Sequence, residues 1–216
     1  MFLNKKKIIK VQNNWMLIPL FGIIIFIFFY FLATLYYPGG SNFDGKSIGF
    51  DWINNYWCDL TGKYAKNGKT NEARNIALTG MLILCFTLSL FWYYLPKFFH
   101  ESKFNQIMIK YSGICAMFVL FFLFTTFHDS VIALGGILSI IPLIGTFREL
   151  YKNKLTKLFF LGLLSLLLIL LNYLIYMSNY FIFFLPVIQK ITFIVFLMWI
   201  FAINLHCFLN EKVNCT

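Results

Sequence analysis

Residues 158–177 read LFFLGLLSLLLILLNYLIYM, from Leu158 to Met177 without a charged side chain. A helix rises about 1.5 Å per residue, so a run of this length crosses the roughly 30 Å hydrocarbon core of a bilayer. The run is apolar on every side. It lacks the alternation that a membrane barrel or a half-buried soluble strand requires. Read as a transmembrane helix, it sets what the rest of the chain can be.

Outward from it, five more stretches have the same character: about residues 15–37, 75–95, 107–127, 130–147 and 186–209. Pro96 stops the second, and the fourth is the shortest. The pattern predicts an all-α, polytopic membrane protein, with six transmembrane helices in one bundle and a single domain over residues 1–216. Composition agrees. The 216 residues are 60% apolar, 21% aromatic and only 12% charged, with mean hydropathy +0.76. Soluble domains run about 45–50% apolar and about 25% charged, so a solvated globule is excluded.

The net charge is +10, from 18 Lys and Arg against 8 Asp and Glu. In so apolar a chain this points to basic loops facing an anionic leaflet, and no basic patch interleaved with aromatics suggests nucleic acid. Lys46, Lys63, Lys66, Lys69, Arg74 and Lys190 fall on one side of the spans and the other basic residues on the opposite side. The positive-inside rule then puts both termini in the cytoplasm and Asp44, Asp51, Asp59 and Asp129 outside. Abundant Lys, Asn, Ile and Phe fit a bacterial inner-membrane protein. Lys5, Lys6, Lys7 and Lys10 precede the first span, which is too long for a signal-peptide core and lacks a cleavage site, so it reads as an uncleaved anchor.

The connection of residues 38–74 is the one long loop, and long loops between compact elements tend to carry function. Within it, residues 49–62 read GFDWINNYWCDLTG. As a helix this puts Phe50, Ile53, Trp57 and Leu60 on one apolar face and Asp51, Asn55 and Asp59 at one-turn spacing on a polar stripe. Gly62 suits its stop. The expectation is a short interfacial helix across the outer mouth, offering Asp51, Asn55, Asp59 and Trp57 to a lipid headgroup or cation. A plainer reading has Asp51 capping the helix and Asp59 paired with Lys63 at i+4.

His128 and Asp129 sit at the outer end of the third span, on the same face. A histidine beside carboxylates can act as base, metal ligand or pH sensor, so His128, Asp59 and Asp129 are the candidate catalytic residues. The alternative is that Asp129 caps the fourth helix. His206 and His100 fall at the cytoplasmic end, too far from His128 for a three-histidine zinc site, and neither a metal nor another cofactor is expected. Cys58 stands outside alone, with Cys85 and Cys115 in the membrane and Cys207 and Cys215 cytoplasmic, so no disulfide is expected. Lys110 and Lys190 are expected to snorkel, and Asn172 and Asn204 to bond between helices. Pro19, Gly22, Gly135, Gly136, Pro142 and Pro186 are expected at kinks or close packing.

Tyr37-Pro38-Gly39-Gly40, then Asn55-Tyr56-Trp57-Cys58-Asp59-Leu60, then Asn71 and His128-Asp129 resemble the outer-loop pattern of a group of uncharacterised bacterial six-helix membrane proteins. More distantly the arrangement resembles the Frag/DRAM group, some of which act in lipid remodelling or membrane trafficking. The chain departs from alkaline-ceramidase-type hydrolases, because residue 124 is Phe rather than Ser and the last helix lacks a second histidine. The expected function is lipid-related or accessory, with membrane lipids as partners and an outer-face polar pocket. The alternative is an intramembrane lipid hydrolase or transferase using His128 with Asp59 or Asp129. A small-solute transporter is disfavoured by the lack of midplane acids and repeats. A membrane-protein partner or self-association is left open.

Overall fold

The computed structural model describes residues 14–99 and 101–213. Lys5, Lys6, Lys7, Lys10, His100 and Cys215 lie outside the described residues, as does the side chain of Lys212. Six helices dominate: α1 (Ile18–Leu35), α2 (Arg74–Tyr94), α3 (Lys103–Leu120), α4 (His128–Lys152), α5 (Thr156–Ser178) and α6 (Leu185–Val213). Each is long and apolar enough to cross a membrane, and the chain is a multi-pass membrane protein. Short 3-10 turns extend α2 at Leu95–Phe98 and α3 at Phe121–Phe124. Pro96 lies inside the first of these, so the α-winding ends just before it, at Tyr94, while the span runs on to Phe98.

The fourth span differs most from expectation. It is 25 residues long rather than the shortest, and it continues past residue 147 to Lys152. Arg148 and Lys152, one turn apart, both pair with Glu101 of the α2–α3 connection. A helix that leaves the hydrocarbon continues when its polar last turn finds partners. At its other end α4 starts at His128 with Phe127 as cap, and no side chain caps it. Asp129 therefore does not hold the capping position; it lies in the first turn.

Helices pack chiefly on their sequence neighbours: α1 on α2, α2 on α3, α3 on α4, and α5 on α6. The α4–α5 and α1–α6 contacts are sparser. In a bilayer no hydrophobic force draws helices together, so close approach of small residues and buried amides does that work. A Cβ on Gly22 would fall 1.9 Å from Thr87 Oγ1, which places α1 and α2 in direct contact. Gly162 of α5 likewise makes room for the Trp199 ring of α6. That indole is fully buried, donates from Nε1 to Leu158 O at 2.9 Å, and stacks on Phe147 of α4 with ring centres 5.3 Å apart. Asn172 donates to Thr192 Oγ1 across α5 and α6, a bond worth about 1 kcal/mol in such settings.

Where α1 and α6 stand apart, the first loop fills the gap. The Trp57 ring sits 6.3 Å from Phe26, 5.4 Å from Tyr30 and 5.2 Å from Phe193. Phe193 lies eight residues into α6, about 12 Å from its N-terminal end at 1.5 Å per residue. The loop is thus wedged into the bundle rather than laid across it.

Candidate functional site

Residues 49–62 do not form the expected helix. Residues 52–54 make a turn, Tyr56 is extended, and only Trp57–Thr61 winds, as a 3-10 turn. The reason is side-chain competition for backbone groups. Asp51 Oδ1 accepts from the N–H of Ile53 at 2.8 Å and of Asn54 at 3.2 Å, while Oδ2 accepts from the Asn54 amide at 2.7 Å. Asn55 Oδ1 accepts from the Asp51 N–H at 2.9 Å. These bonds end the winding after one turn, so Asp51, Asn55 and Asp59 share no helix face.

Asn55 and Asp59 nevertheless come together, in the interior of the loop. Asn55 is fully buried, and its Nδ2 donates to Gly40 O at 2.8 Å and to Asp59 Oδ2 at 3.0 Å. Asp59 Oδ2 also accepts from the Tyr56 N–H at 2.9 Å, and Oδ1 pairs with Lys66 Nζ at 3.5 Å. The lysine is Lys66 rather than Lys63, which lies over the Tyr64 ring instead. Asn71 donates from Nδ2 to the carbonyls of Asp59, Leu60 and Gly62 at 2.9–3.1 Å and accepts from Ala73 N–H. Tyr37 closes the knot by accepting from Lys66 N–H at 3.0 Å. Gly40 takes φ +80, and a Cβ there would lie 2.3 Å from Asn67 N, so backbone meets backbone where only glycine fits.

Two α6 residues hold this knot to the bundle. Gln189 Oε1 accepts from Trp57 N–H at 3.2 Å. Lys190, buried rather than snorkelling, donates from Nζ to Asn55 O and, at 2.9 Å, to Pro186 O. Its ammonium also lies 5.7 Å from the Phe50 ring centre. Arg74 at the start of α2 donates from Nε to Thr61 O. The sequence reading passed over Gln189 and treated Lys190 as a snorkelling cation. Two adjacent polar residues in an otherwise apolar run were the available signal.

The electrostatics suit a scaffold. Burial, with the Asp59 charge adding to it, pushes the Cys58 thiol up to about 11, which keeps it protonated and unreactive at neutral pH. Burial likewise pushes the Tyr56 hydroxyl up to about 12, with Cys58 and Asp59 contributing. At Asp51 burial works upward, but the Asn54 amide and the N–H groups of Ile53 and Asn54 outweigh it and hold the carboxyl below its ordinary value. The Trp57 Nε1–H is buried and meets no acceptor among the described residues.

His128 and Asp129 form a separate, exposed pair. His128 Nδ1 lies 3.2 Å from Asp129 Oδ1, and Asp129 Oδ2 accepts from the Tyr176 hydroxyl of α5 at 3.2 Å. Neither residue is a hydrogen-bond or ion-pair partner of Asp59, whose partners all lie within the loop. Among the described residues no three His, Cys, Asp or Glu side chains converge as a metal site would require. At the opposite end of the bundle a cavity of about 400 Å³ is lined by Thr146, Glu149, Asn153 and His206 among apolar neighbours.

The chain matches no protein-family model, no curated protein and no solved structure. The geometry therefore carries the functional argument alone.

Proposed function

We propose that the chain is a lipid-related or accessory protein of a bacterial inner membrane, with both termini cytoplasmic and the loop of residues 36–73 acting as a prefolded outer cap. One observation supports this above the others. Both carboxylate oxygens of Asp59, both ends of the Asn55 amide and both ends of the Asn71 amide are engaged within the cap. A general base or a headgroup-binding carboxylate needs at least one open oxygen lying toward its ligand. Asp51, Asn55, Asp59 and Trp57 are accordingly assigned to building the cap, and lipid contact to the apolar surface of the bundle.

A second reading keeps an observation of its own. The pairing of His128 with Asp129 is the arrangement that orients an imidazole as a base, and it is exposed at the end of the bundle that the proposed orientation turns outward. An intramembrane lipid hydrolase or transferase would use His128 with Asp129, with Asp59 confined to support.

Lipid profiling of a deletion strain carrying wild type, Asp59→Asn or His128→Ala, at matched membrane levels, separates the two. The accessory reading expects wild type and His128→Ala to give the same lipid profile. One lipid species that accumulates in the deletion and in His128→Ala, and disappears with wild type, sinks it in favour of the enzyme.

A further inference from the structure

We propose that the end of the bundle opposite the cap binds one anionic glycerophospholipid, its acyl chain in the groove between α3 and α4 and its phosphodiester on Arg148. This rests on the lipid-related reading for the class of partner and adds the site and the headgroup charge.

The groove encloses about 210 Å³ and joins an apolar channel to a charged end. Met108 of α3 and Ile141 and Ile144 of α4 line the channel and are exposed in the bare protein. Its floor is tight, because a Cβ on Gly145 would fall 2.4 Å from Ile109 Cδ1. From Ile141 to Arg148 the groove wall runs seven residues, about 10 Å of helix. It starts within the apolar span and ends in the polar last turn of α4, the level of a leaflet's headgroups.

The charged end is prearranged. Glu101 Oε1 pairs with Lys152 Nζ at 2.7 Å and with Arg148 Nε at 3.2 Å, and Oε2 accepts from Asn105 Nδ2 at 3.0 Å. The carboxylate is thus occupied and 7% exposed, while the Arg148 side chain is 59% exposed. Arg148 meets Glu101 through Nε, which fixes the guanidinium, and with the side chain 59% exposed the rest of its planar fork faces a ligand. Two cations against one paired carboxylate leave a net positive site. Guanidinium forks match phosphate oxygens in a bidentate geometry, with shorter and stronger bonds than neutral donors form. A free phosphate would use the charged end alone, whereas the apolar channel that continues from it fits an attached acyl chain. Charge complementarity selects an anionic headgroup over a zwitterionic one, since among the described residues lining the groove Glu101 is the one acid and no aromatic box receives an ammonium.

The test titrates the purified full-length chain in detergent with phosphatidylglycerol and with phosphatidylcholine of the same acyl chains, read by native mass spectrometry. Inorganic phosphate is the third arm. Phosphatidylglycerol is expected to bind about tenfold more tightly, and Arg148→Gln to reduce that preference to about twofold or less. Met108→Trp, which fills the channel and leaves every charge in place, is expected to weaken both lipids. If Arg148→Gln does not fold, Met108→Trp carries the test. Equal binding of the two lipids, an unchanged preference in a folded Arg148→Gln, full binding by Met108→Trp, or phosphate competing as well as the lipid each overturns the proposal. An enzyme-like change in the lipid profile of a deletion strain bears on the accessory reading and leaves this outcome separately readable.

Discussion

Asn55 ties together three separate parts of the cap. It is fully buried, and its amide serves the Asp51 N–H, the Gly40 carbonyl and the Asp59 carboxylate at once. Removing it strands polar groups that water does not reach, and each buried unsatisfied group costs about 1–3 kcal/mol. Asn55→Ala is therefore expected to lower the thermal midpoint of the detergent-solubilised protein, with a loss of about 2–4 kcal/mol. Asn42→Ala, at an exposed position of the same loop, is expected to leave the midpoint unchanged. Equal midpoints for the two variants would remove Asn55 from its place in the knot. The sequence showed that Asn55 and Asp59 were one turn apart and polar. It did not show that they face inward, because the groups they satisfy include the carbonyl of Gly40, fifteen positions away. Lys190 was still less legible, since its partner Asn55 O is 135 positions distant.

Among the elements, the spans followed from the sequence and the loop did not. Lipid offers no hydrogen bonds, so each apolar run must satisfy its own backbone, and a helix is the local solution. The loop has no such constraint. Its turns are set by Asp51 and Asn55 binding backbone groups and by Gln189 and Lys190 binding the backbone at Trp57 and Asn55. The consequence is that Trp57 enters the bundle between α1 and α6 instead of resting at the headgroup level. Trp57→Ala should open a void against Phe26, Tyr30 and Phe193, at a cost of about 3–5 kcal/mol, the usual range for a large aromatic lost from a core. Trp52, which is 47% exposed, should cost far less when truncated. Hydrogen exchange across residues 36–73 distinguishes a wedge from a surface contact. Protection is expected to fall throughout the loop in Trp57→Ala, and protection equal to that of Trp52→Ala would show that the wedge does not hold the cap.

On the scale of the whole molecule, the two ends of the bundle have opposite characters. One end is a hydrogen-bonded cap in which the Asn55, Asp59 and Asn71 side chains are internally engaged. The other carries Arg148, Lys152 and Glu101 at the mouth of an open groove. In the proposed orientation the cap faces the outside and the groove the cytoplasm. A cysteine placed at Ser47 in a cysteine-free chain is accordingly expected to react with a membrane-impermeant maleimide in intact cells. One placed at Lys154 should react only after lysis, and the reverse pattern would invert the topology. Hydropathy alone determined that the chain crosses a membrane, how many helices do so and about where each begins, because those facts follow from local backbone satisfaction in a solvent without hydrogen bonds. Only the tertiary structure decided which polar residues meet, since a hydrogen bond joining Trp57 to Gln189 or an ion pair joining Glu101 to Lys152 depends on helices brought side by side, and no local periodicity encodes that approach.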